Sequence, residues 1–181
     1  MIADRREDGC LYFMSMLYMH RLRFFCSIGV GLWSAVVACS QPVASVALPA
    51  TLRERVKSER FQIVTSIRGL PLGVRDAMQT LFGSETLDMA ESGAQFQADD
   101  MVVNPALPIR RLVAAACAIE YCVVHYERGG AARSWHVALF HWTPAATRFE
   151  WGGDAPGRLA TIDDVRNAIL SGAIKNPASF W

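Results

Sequence analysis

RRLVAAACAIEYCVVHYERGGAARSWHVALFHWTPAATRFEWGG, residues 110–153, holds four apolar runs separated by short turns. Leu112 to Cys117 is short and apolar. Tyr121 to Glu127 is rich in aromatic and β-branched residues, which favour a pleated strand. Gly129-Gly130 is a two-residue hairpin signal, because glycine takes positive φ without a Cβ clash. Ser134 to Trp142 is the longest strand candidate. Thr143 to Ala146 turns, Thr147 to Trp151 returns, and Gly152-Gly153 stops the run. The pattern predicts an α+β domain: an antiparallel β-meander of four to six strands packed against two or three helices.

The turns set a register. A loop at Ala118–Tyr121 places Cys117 opposite Cys122, Ala115 opposite Val124 and Val113 opposite Tyr126. A two-residue loop at Gly129-Gly130 places Val123 opposite His136 and His125 opposite Ser134. Side chains alternate faces with period two. One face then carries Ala114, Ala116, Val123, His125, His136, Ala138 and Phe140, joined by Phe149 and Trp151. This mixed face is expected to be partly open, with Phe140 and Trp151 as an aromatic platform for a partner or glycan. The other carries Val113, Ala115, Cys117, Cys122, Val124, Tyr126, Trp135, Val137, Leu139 and His141, and should lie under the helices.

The chain has 181 residues, 52% of them hydrophobic, and a formal net charge of +1. That balance gives no basic surface for nucleic acid. Of five cysteines, only Cys117 and Cys122 fall in the globular part. Opposed residues on paired strands meet disulfide geometry, and an oxidising compartment would close the bond. The pair lacks the C-x-x-C spacing of a redox motif.

Ahead of the domain, residues 1–38 read as an N-terminal extension and signal peptide. Arg21 and Arg23 form a basic segment, and Phe24 to Ala38 is apolar and uncharged. Val36-Val37-Ala38-Cys39 resembles the lipobox of bacterial lipoproteins, which implies a lipid-carrying Cys39. Ser40, in place of an aspartate, then implies the outer membrane. Ordinary signal cleavage after Ala47 is the competing reading, and an uncleaved anchor is a third. Residues 39–60 are expected to be a tether, ending in the charged run Arg53–Arg60, itself either solvated or a short helix. Residues 61–181 form the single globular domain.

Within that domain, Phe61–Ile67 reads as a strand. Val74–Phe82 has a helical apolar stripe closed by Gly83. Ala94–Ala98 would make a short strand, and Asp99-Asp100 a solvated turn. Thr161 is a helix N-cap with Asp163 and Asp164 in the first turn and Gly172 at the end. The terminal Phe180-Trp181 is expected to pack back on the body.

The chemistry-bearing residues are few. His125 and His136, with Glu127 further along the same face, are the candidate metal ligands, and two imidazoles with a carboxylate suit zinc. A serine hydrolase would use Ser134 opposite His125, but no G-x-S-x-G elbow surrounds it. No catalytic residue or resident cofactor is otherwise expected. The reading is an exported envelope protein, periplasmic or outer-membrane-anchored. Its role is non-catalytic binding of, or accessory service to, an envelope protein or small ligand. The membrane enters only through the signal or the lipid. A small metal-dependent enzyme using His125 and His136 is the alternative.

Overall fold

The computed structural model describes residues 46–102 and 104–175. The leader, Cys39 and Phe180-Trp181 lie outside these residues. Among the described residues, five strands follow one another in space in chain order, each antiparallel to the next. They are β1 (Gln62–Val64), β2 (Arg110–Cys117), β3 (Tyr121–Arg128), β4 (Ser134–Trp142) and β5 (Thr147–Asp154). Three α-helices join them: α1 (Ala50–Ser58), α2 (Leu72–Phe82) and α3 (Ile162–Ser171). The α+β meander packed on helices is thus present.

Helices α2 and α3 stop where their local chemistry directs, each on a left-handed glycine. In α3 the Thr161 hydroxyl accepts from the Asp164 N–H, and the Asp164 carboxylate accepts from the Thr161 N–H. This capping box satisfies two of the free donors of the first turn. Helix α2 begins after Pro71 and ends on Gly83, whose φ of 62° is the left-handed conformation that suits glycine. Helix α1 buries Leu52 and Val56. It packs along α3, where Arg166 donates to the Val56 and Lys57 carbonyls and Arg53 to that of Leu170. The run assigned to a tether therefore includes a helix of the domain, because two apolar residues one turn apart give it a face to bury.

Both faces of the sheet are covered, which corrects the expectation of one open face. Helices α1 and α3 lie over Ala114, Ala116, Val123, Val137, Leu139 and Trp151. Helix α2 lies over Leu112, Ala115, Cys122, Val124, Tyr126, Ala138 and Phe140. An antiparallel sheet usually leaves one side to water and alternates in hydrophobicity. Here β3 is buried at Cys122 through Glu127 without a break, so its residues do not alternate between apolar and polar. Phe140 and Trp151 are 0% and 4% exposed; they are core, not a platform.

Three further expectations change. Ala94–Ala98 forms no strand; Ala90 instead makes a parallel bridge to Arg111. The strand assigned to Phe61–Ile67 is three residues long and gives way to a 3-10 turn at Ile67–Gly69. The β3–β4 loop is Gly129–Arg133, five residues, since Arg128 pairs with Ser134. Three extra residues invert the parity of β4, so His125 pairs with Val137 and Tyr126 with His136.

Cys117 pairs with Cys122 as expected, and the two are disulfide-bonded. The bond closes a short loop, so its removal should cost about 2 kcal/mol in the loop-entropy account. Urea unfolding of a Cys117→Ala, Cys122→Ala chain should show a lower midpoint than the oxidised protein. A midpoint unmoved by either the substitution or a reductant would remove that role.

Candidate functional site

The buried polar residues gather at one end of the sheet, where β3 ends, β4 begins and β5 ends. Two β-bulges assemble them. In β2 the register slips by one residue between Leu112 and Ala114, which sets Arg111 opposite Glu127 and Arg110 opposite Arg128. Without the slip, the pairing of Ala115 with Val124 would continue as Arg111 opposite Arg128, leaving Glu127 against Leu112. In β5 the slip falls at Glu150, between the pairs Leu139–Trp151 and Phe140–Phe149. It brings Asp154, not Gly153, opposite His136.

On the α1/α3 face, His125 is 0% exposed. The Leu159 N–H donates to its Nε2 at 3.0 Å, so Nε2 carries no proton. Nδ1 therefore carries it and donates to the His136 carbonyl at 2.8 Å. Burial, reinforced by the charge of Arg158, pushes the imidazole down to about 4 against the opposing backbone bond and Glu127. His125 is a neutral structural pin between β4 and the loop before α3.

Glu127 lies on the same face and its side chain is 0% exposed. Arg111 donates to Oε2 at 2.7 Å, and Arg133 pairs with Oε1. Burial alone would raise this carboxyl, but the two guanidiniums hold it below the ordinary range. Arg111 is fixed in turn against the Phe96 ring at 4.3 Å.

His136 projects from the opposite face, stacked on Tyr126 with ring centroids 5.1 Å apart. The two imidazoles therefore do not share a site. The metal set His125, His136 and Glu127 rested on the two-residue loop, and the longer loop separates its members. Among the described residues no cluster of three or more His, Cys, Asp or Glu side chains could hold one ion.

What the register brings to His136 instead is Ser134 and Asp154. Ser134 Oγ lies 2.8 Å from Nε2. Asp154 Oδ1 lies 2.9 Å from Nδ1, close in distance though not aligned as a hydrogen bond. Burial, the charges of Arg128 and Arg110, and repulsion from His125 once that ring is protonated push the ring down to about 4. An adjacent carboxylate would raise it; burial prevails because the ring is 2% exposed. Burial also raises Asp154. In the tautomer with its proton on Nδ1, towards the carboxylate, Nε2 accepts from the serine. Ser134 appeared in the sequence as the partner of His125; Asp154 carried no signal until the β5 bulge was known.

At the opposite end of the sheet, a groove of about 460 Å3 runs along β1 and the disulfide hairpin. Arg60, Gln62, Ile63, Ala118, Ile119 and Trp142 are among its lining residues. Ile63 and Ile119 are 73% and 90% exposed. Among the described residues no helix is long and apolar enough to cross a membrane. Comparison of the chain with protein-family models, with curated proteins and with solved structures finds no match.

Proposed function

We propose that this chain is an exported cell-envelope domain of binding or accessory role, held at the outer membrane through a lipid on Cys39. Its contact surface is the groove at the disulfide end. The observation that carries the reading is the pair Ile63 and Ile119, two large aliphatic side chains left in water beside one groove. Among the described residues β1 is an edge strand, hydrogen-bonded within the sheet only to β2. Its outer N–H and C=O groups suit an extended peptide segment that adds a strand, with apolar side chains resting on the two isoleucines. The Cys117–Cys122 bond supports an oxidising compartment.

A benzophenone side chain placed at position 63 or 119 of the full chain in living cells tests the surface. Discrete adducts are expected at both positions, and Ile119→Asp should abolish the adduct formed from position 63. If neither position crosslinks, or if Ile119→Asp leaves that adduct intact, this surface is not the contact.

A further inference from the structure

We propose that Ser134, His136 and Asp154 form an acyl-transfer site that hydrolyses small carboxylic esters. This goes beyond the binding role and occupies the other end of the sheet. Three features carry it. The hydroxyl and the imidazole are in hydrogen-bond contact, at 2.8 Å. The second ring nitrogen is 2.9 Å from a carboxylate oxygen. The serine is half-buried at the start of β4 and directly follows Ala131, Ala132 and Arg133, all exposed. A nucleophile is thus reachable from solvent while its base stands behind it, walled in by Tyr126. These are the roles of a nucleophile, a general base and an orienting acid, recognised by geometry and not by chain order.

The arrangement sits on two antiparallel strands, so no strained elbow is needed to present the hydroxyl. Ser134 and His136 are two residues apart on β4 and share a face, and the β5 bulge supplies Asp154 across from the ring. Arg128 is the cross-strand partner of Ser134. Its guanidinium suits the negative charge that develops on an acyl oxygen during attack.

The reaction balances without a further reagent. Ser134 Oγ bonds to the acyl carbon as its proton passes to His136 Nε2. The bond to the leaving oxygen breaks, and that oxygen takes the proton from the ring. Water then attacks the acyl-serine and gives its proton to Nε2. Oγ departs and recovers that proton, so one ester and one water become one acid and one alcohol. The imidazolium formed in each half is stabilised by Asp154, which acts as a positioning residue.

A fluorophosphonate and p-nitrophenyl acetate serve as probes on the purified full chain. One covalent adduct is expected, on Ser134. Ester hydrolysis should fall at least ~100-fold in Ser134→Ala, the usual scale for losing the proton-transfer partnership. Asp154→Asn should lower the labelling rate about tenfold at an unchanged thermal midpoint, because that side chain is 41% exposed. Asp154→Glu should restore part of the rate, which a merely structural carboxylate would not do. A folded wild-type chain that takes no label, or that hydrolyses the ester no faster than Ser134→Ala, overturns the proposal. Labelling that persists in Ser134→Ala does so too. The crosslinking result at Ile63 and Ile119 bears on neither outcome.

Discussion

Lowering the pH from 7 to 4 should remove several kcal/mol of folding stability, with buried imidazoles as the cause. His125 and His136 both titrate near 6.5 when unfolded and near 4 when folded. A depressed folded value means the unfolded chain binds the extra proton. The stabilisation is complete above pH 6.5, falls through the window from 6.5 to 4, and is gone below it. Each ring is worth about 3 kcal/mol, the free energy that separates protonation near 6.5 from protonation near 4. The pair should give less than twice that, since the His125 ring bonds the His136 backbone and its charge acts on the other ring. Glu127, held low, adds loss in the same sense but below its ordinary 4.5. Asp154, raised by burial, works the other way, because protonation relieves it. Urea midpoints at pH 7, 6, 5 and 4.5 should therefore fall steadily, with about half the slope in His125→Asn. A midpoint constant from pH 7 to 5 would show that neither ring is held neutral.

Glu127→Ala should be the most damaging single substitution at this end of the sheet, at about 3 kcal/mol. Removing one partner of a buried ion pair leaves the other charge uncompensated, which typically costs 3–5 kcal/mol. The lower end applies because the Arg133 side chain is 50% exposed and can turn to water. Arg111 cannot do so as freely, being 19% exposed and lodged against Phe96. Glu127→Gln keeps the shape and an acceptor, so it should cost about half as much. Arg133→Ala should cost under about 1 kcal/mol, as for an exposed pair. Equal losses for Arg133→Ala and Glu127→Ala in chemical unfolding would contradict this division of roles.

Much of the fold was legible in the sequence because its signals are local. The cysteine hairpin, the stripe on α2 and the Thr161 and Gly172 caps each depend on residues within a few positions. The candidate site was not legible, because it depends on parity, and parity depends on loop length. Gly129-Gly130 reads as a complete turn. In the fold these glycines serve a different purpose. A Cβ at Gly129 would collide with the Gln97 carbonyl oxygen, so the residue is glycine to admit the neighbouring backbone. Gly130 takes a φ of 114° and donates to the Ala98 carbonyl. The turn then runs on to Arg133, and His136 faces Tyr126 in place of Val123. Nor did the mixed character of one predicted face mean exposure. His125, which does lie there, is satisfied by the Leu159 N–H and the His136 carbonyl, and a satisfied polar group is at home under a helix.

The two register slips also govern how the length of this chain can change. At Val113 and at Glu150 one residue stands without a partner across the ladder. Losing either would let the strands run straight while every other couple stayed as it is. A residue lost farther along β2 or β5 would exchange the neighbours of every residue between it and the slip or the strand end. Gene variants shortened by a single codon should therefore be tolerated best at these two positions and less well with distance from them.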